Sequence, residues 1–130
     1  MENALTVGKE NVVSLISETG IGDLIKPLSR EILLFGSYVA GTSYLDDDTV
    51  LKEIKPGDRL ILQREDNRYD SNAILVLDEK KRKVGYIPEK DNLVFSRLMD
   101  AGKLLTAKID RIEPRGSFMQ INISIFLVDF

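Results

Sequence analysis

The alternation near the C-terminus limits the fold more than any other feature of this chain. Ile121, Ile123, Ile125 and Leu127 take turns with Gln120, Asn122 and Ser124, a period of two that suits a strand with one face buried. The same period runs through Leu105, Ala107 and Ile109 against Thr106, Lys108 and Asp110. Upstream, Ile32 to Ala40 is a long β-compatible run that ends at Gly41, and Arg59 to Glu65, Ala73 to Asp78 and Lys83 to Ile87 add three further strands. The joints are short. Lys55-Pro56-Gly57-Asp58 places Pro and Gly for a type II turn, Asp66 to Asn72 is a polar loop, and Glu79 to Arg82 is a charged hairpin tip. Most of these connections cannot hold the crossover that a parallel βαβ unit requires. One helix is inserted late, near Asn92 to Ala101, with Asp91 as its expected cap, Val94/Leu98 and Phe95/Met99 as i,i+4 pairs and Gly102 as its stop. The pattern predicts a mostly β fold: a small OB-like or SH3-like antiparallel β-barrel over residues 32–130 with one inserted helix.

Residues 1–31 read differently. Asn11 can cap a turn carrying Val12, Val13, Leu15 and Ile16, and Gly20 suits the left-handed stop. Leu24, Ile25 and Leu28 lie at near-helical spacing beyond it. The expectation is an N-terminal helical extension that either covers one end of the barrel or offers helices to a protein partner.

What the chain lacks narrows its chemistry. It has no Cys and no His, which removes disulfides, thiolate nucleophiles, the usual catalytic triads and the common transition-metal sites. Asp46-Asp47-Asp48 has no further ligands at the spacing a hard cation needs, and no base adjoins Ser43 or Ser71 to activate either hydroxyl. No Gly-rich phosphate loop is present. The reading is of a protein that is not an enzyme and needs neither cofactor nor metal. The apolar runs, such as Ile32 to Phe35 and Ile125 to Val128, fall far short of the ~20 residues that cross a bilayer. Met1 to Gly8 lacks the basic and apolar regions of a secretory signal. A cytoplasmic protein with no membrane role is expected.

Three segments stand out from a generic β domain. Gln63-Arg64-Glu65-Asp66-Asn67-Arg68-Tyr69-Asp70-Ser71-Asn72-Ala73-Ile74-Leu75-Val76 sets a tyrosine among charged residues at a loop apex. Asn67, Asp70 and Asn72 suit side-chain-to-backbone turns there, but turns alone do not call for the tyrosine. Val39-Ala40-Gly41-Thr42-Ser43-Tyr44 runs a strand into a glycine and then presents a second tyrosine. Lys83-Val84-Gly85-Tyr86-Ile87-Pro88 leads into the helix.

In this order, and followed by a helix that ends Leu98-Met99-Asp100-Ala101-Gly102, these segments resemble the HIRAN domain family over roughly three quarters of the chain. The resemblance implies an OB-like barrel, found in Swi/Snf-type DNA translocases and as stand-alone bacterial proteins. It also implies a non-enzymatic role in which the 3′-hydroxyl end of single-stranded DNA is captured. Position by position, it places the stacking aromatics at Tyr44 and Tyr69, the acceptor for the terminal hydroxyl at Asp70, a contact to the terminal nucleotide at Asn67 and an aromatic against the next base at Phe118. Two phosphate contacts of the family change: Ser43 stands where an Arg would be, and Glu89 where a Lys would start the helix, with Lys90 one step along. Arg64, Arg68, Lys90 and Arg115 are the remaining local cations. The run Lys80-Lys81-Arg82-Lys83 reads more readily as a solvated hairpin tip. The net charge of −3 offers no global basic footprint. Two function classes therefore stay open: a binder of single-stranded DNA 3′ ends, and a protein-interaction module that kept the barrel and lost the phosphate contacts. An accessory to a nucleotide or nucleic-acid hydrolase ranks behind both.

Overall fold

The computed structural model describes residues 30–129, and within them Ile32–Val128 forms one compact unit. The helical turns expected around Asn11 and Leu24, and the partner helices they would supply, lie outside the described residues. Six strands make a single sheet: β1 Arg30–Tyr38, β2 Arg59–Arg64, β3 Ile74–Leu77, β4 Lys83–Tyr86, β5 Leu105–Arg115 and β6 Phe118–Asp129. Their order across the sheet is β1-β6-β5-β2-β3-β4, and the ladders β2–β3, β2–β5, β3–β4 and β5–β6 are antiparallel. Just past β1, Ala40 pairs with Tyr86 of β4 through two backbone hydrogen bonds, 2.7 and 2.9 Å. That bridge brings together chain from opposite ends of the strand order and curls the sheet.

The period-two residues face inward as expected. Leu60 and Leu62, Ile74 and Val76, Leu105, Ala107 and Ile109, and Ile121, Ile123 and Ile125 are all buried and form one core with Val84. Burial of a side chain of this size contributes on the order of 1.5–3 kcal/mol. The turn at Lys55 to Asp58 also forms: Gly57 has a φ of 92°, and the Asp58 amide donates to the Lys55 carbonyl oxygen at 3.1 Å.

Among the described residues two α-helices pack on this sheet, where the pattern over residues 32–130 predicts one. α1, Val50–Glu53, buries Val50, and it is too short to display a hydrophobic period. It follows an Asx turn in which Asp47 accepts from both the amide (3.0 Å) and the hydroxyl (2.6 Å) of Thr49. α2, Glu89–Asp100, starts earlier than expected. Pro88 occupies its N-cap position, so Asp91 lies in the first turn and does not cap the helix; its carboxylate accepts instead from the Ser37 hydroxyl, 2.8 Å. Phe95 enters the core from α2 and lies 5.8 Å from the Phe35 ring of β1. The expected strand from Leu105 continues past Asp110 to Arg115. A register shift between Ile109 and Arg111 breaks the alternation there without ending the ladder. No helix among the described residues is long and apolar enough to cross a membrane.

Candidate functional site

The β2–β3 loop, residues 65–73, is shaped by its own polar side chains. Asn67 Oδ1 accepts from the amides of Tyr69 (2.9 Å) and Asp70 (2.8 Å), which folds the loop into a tight turn with Tyr69 at its apex. Asp70 Oδ1 accepts from the Asn72 amide at 2.9 Å. From outside the loop, the Asn92 side-chain amide on α2 donates to Asp70 Oδ2 at 2.8 Å. Glu65 Oε1 accepts from the Tyr86 hydroxyl (2.6 Å) and from the Asn67 amide nitrogen (3.0 Å), joining β4 to the same turn. These two donors hold the Glu65 carboxyl below its ordinary range, with Tyr86 the larger cause. Glu65, followed by burial, pushes the Tyr86 hydroxyl up to about 12.

The turn opens on a hollow of about 320 Å³ lined by Ala40, Gly41, Asn67, Tyr69, Asp70, Ala73, Tyr86, Ile87 and Glu89. Two of its lining residues, Tyr69 and Tyr86, are aromatic, and its charged ones, Asp70 and Glu89, are acidic. Tyr69 is 81% exposed, an uncommon position for a ring held on such an ordered turn. Each Asp70 oxygen accepts one hydrogen bond within the protein, so lone pairs remain on both for a ligand.

Of the residues singled out from the sequence, Asn67, Tyr69, Asp70, Tyr44, Ser43 and Phe118 fall into three depressions. Asn67, Tyr69 and Asp70 share the hollow just described. Tyr44, 86% exposed, ends a 3-10 turn, Thr42–Tyr44, whose N-cap Gly41 has a φ of 78° and itself lines that hollow. Tyr44 lines an adjacent depression with Asp46, Asp47, Arg82 and Lys83. Ser43 and Phe118 border a third, with Lys52 and Met119. All four local cations have partners within the protein, and Arg115 pairs with Glu113 at 3.0 Å. Arg64 meets Asp100 through Nε (2.9 Å) and Nη2 (3.2 Å) and donates to the Ala73 and Ser71 carbonyl oxygens at 2.7 and 2.9 Å. Arg68 lies over the Tyr69 ring, 5.1 Å from its centroid, and donates to the Tyr69 hydroxyl at 3.0 Å. Lys90 lies over Tyr38 at 5.5 Å and borders an apolar groove with Leu34, Phe35 and Val94. Glu89, by contrast, lines the hollow itself.

Sequence reasoning missed Glu65, Tyr86 and Asn92 as parts of this site. Glu65 and Tyr86 lie inside two of the three segments singled out, so a signal existed for them. Asn92 looked like any polar residue on a helix. In the hairpin tip, Arg82 bonds both Asp78 (2.7 Å) and Glu53 (2.9 Å), so that member of the basic run is a structural clamp.

Comparison with known proteins follows the same lines. The sequence model of the HIRAN domain matches residues 32–128. Among solved structures, a protein from Lactobacillus plantarum is 28% identical, with a TM-score of 0.72 over 78% of this chain and 99% of that one. The HIRAN domain of human HLTF is 18% identical, with a TM-score of 0.62 over 78% of this chain and 79% of that one, a likeness of fold. No curated protein matches the sequence significantly.

Proposed function

This chain belongs to the HIRAN domain family, and from that premise we propose that it binds nucleic acid without catalysing a reaction, taking the 3′-hydroxyl end of a DNA single strand. The observation that carries the reading is the grouping of Asn67, Tyr69 and Asp70 around one hollow, held by hydrogen bonds, with the Tyr69 ring exposed to solvent and the Arg68 guanidinium stacked over it. In this reading the terminal base stacks on Tyr69, with Tyr44 approaching from the adjoining 3-10 turn. Stacking tolerates any base and is worth ~1–3 kcal/mol. The terminal hydroxyl donates to Asp70, a charge-assisted bond. A terminal phosphate would instead face Asp70 and Glu89 and be repelled, so two carboxylates at one hollow read the state of an end and not a sequence. Phe118 and Ser43, in the third depression, lie where the next nucleotide would run.

The negative hollow also favours a second reading, a protein-interaction module, because Glu89 stands where a strand's phosphate would otherwise find a cation. Fluorescence anisotropy with labelled single strands ending in 3′-hydroxyl, 3′-phosphate or a blocked 3′ end separates the two. Tightest binding of the 3′-hydroxyl strand supports the nucleic-acid reading. Equal affinity for all three overturns recognition of the end, and absence of binding replaces the nucleic-acid reading with the protein-interaction reading.

A further inference from the structure

We infer that Asn92 is the residue that sets the preference between ends, by holding the Asp70 carboxylate in place while leaving its charge intact. The inference rests on the nucleic-acid reading above. Asn92 sits in the first half of α2 and is 3% exposed, a place where asparagine is a poor helix former and where an unpaired amide would be costly. Its amide nitrogen donates to Asp70 Oδ2 at 2.8 Å. With the Asn72 amide on Oδ1 at 2.9 Å, each carboxylate oxygen is held by one donor, which fixes the rotation that an aspartate on a loop otherwise keeps.

A purely structural role for this bond is already filled by others. The loop is tied to α2 by Arg97, which donates to Asn72 Oδ1 at 3.1 Å, and by Arg64, which joins Asp100 of α2 to the Ser71 and Ala73 carbonyl oxygens. The Asn92 bond is the one that lands on the carboxylate facing the hollow. The identity of the donor matters as well. A lysine or arginine there would neutralise Asp70 and admit a phosphate. An amide is neutral at every pH of interest, so it orients the acid and leaves its repulsion in force.

The test compares affinities of the full chain for single strands ending in 3′-hydroxyl and 3′-phosphate, read by anisotropy. Asn92→Leu keeps the branched outline of the side chain and removes the donor. The ratio of the two affinities is expected to fall by about tenfold, the factor one hydrogen bond to a charged group carries, chiefly through weaker binding of the hydroxyl end. A structural defect alone would weaken both ends alike and leave the ratio unchanged, and that result overturns the inference. The exchange Asp70→Asn with Asn92→Asp keeps an amide and a carboxylate in contact, so it is expected to recover thermal stability without recovering the ratio. Recovery of the ratio in the exchanged variant also overturns the inference. Should Asn92→Leu not fold, Asn92→Ser, too short to reach Asp70, reads the same ratio. Equal affinity of the unaltered protein for the two ends overturns the underlying reading, and this inference with it.

Discussion

The roles proposed for Tyr69 and Asp70, neighbours in the chain, are separable, and substitution can tell them apart. Tyr69→Ala deletes a stacking face worth ~1–3 kcal/mol, up to roughly a hundredfold in affinity, and should weaken every strand regardless of its end in an anisotropy titration. Asp70→Ala should cost less affinity and bring the 3′-hydroxyl and 3′-phosphate strands together, since acceptor and repulsion vanish at once. The Glu65–Tyr86 bond behind them makes a pH prediction. The Tyr86 hydroxyl is raised from 10.0 to about 12 in the folded protein, so the folded state holds that proton more tightly than the unfolded chain. Its stabilisation is complete below pH 10 and lost as the pH rises through about 12. The same bond lowers Glu65 below 4.5. Seen from that side, its contribution is present above pH 4.5 and lost as the pH falls through the lower folded value. The difference in unfolding free energy between the protein and Tyr86→Phe, followed by urea denaturation, should therefore be widest at neutral pH and shrink at both extremes. A difference independent of pH would mean the phenol contributes by packing alone.

At the scale of elements, the site depends on how closely the chain after β1 approaches β4. The Ala40–Tyr86 bridge carries Gly41 and the Tyr44 turn to the hollow, and Gly85 makes the approach available. A Cβ at position 85 would collide with the Ala40 carbonyl oxygen and lie 2.6 Å from Val39 Cγ1, a backbone contact that cannot simply rotate away. Gly85→Ala is expected to lower stability by about 1–3 kcal/mol, the usual cost of overpacking a closed interior, measured as a lower urea midpoint. Because the bridge parts, binding should weaken further than the stability loss alone predicts. Helix α2 is the other deciding element: it lends the loop Asn92, Arg97 and Asp100 from successive turns of one face, so a loop that would otherwise be mobile is preformed for a ligand.

Across the whole molecule, charge is what sets this chain apart from an ordinary nucleic-acid binder. With a net charge of −3 and a hollow bordered by Asp70 and Glu89, the proposed binding would rest on short-range stacking and hydrogen bonds, with little counterion release. Ser43→Arg with Glu89→Lys should strengthen binding to 3′-hydroxyl strands. The pair should also steepen the dependence of log affinity on log salt by about 0.7 for each phosphate neutralised. If the doubly altered protein gains affinity equally for hydroxyl and blocked ends, the added charge is acting non-specifically and the strand does not pass this hollow.

How much of this was legible beforehand follows from the distance over which each feature is encoded. The inward rows Leu60/Leu62 and Ile121/Ile123/Ile125, the turn around Gly57 and the body of α2 were readable, because a period of two, a left-handed φ and an i,i+4 pair are set by residues a few positions apart. The loop motif around Tyr69 was readable as a resemblance, and its internal turns as local Asx geometry. The rest came from partners distant in the chain. Asp70 meets Asn92 across 22 positions and Arg64 meets Asp100 across 36, so nothing near Arg64 revealed that its charge is spent on α2 and on loop carbonyls. Neither could Glu89 be assigned a place in the hollow, nor Lys90 a place outside it, until the start of α2 was set at Pro88: adjacent residues on a helix point about 100° apart. Pattern along the chain determined which residues face the core. The sheet's curl and the docking of α2 decided which polar side chains meet, because such contacts depend on the three-dimensional path and leave no period in the sequence.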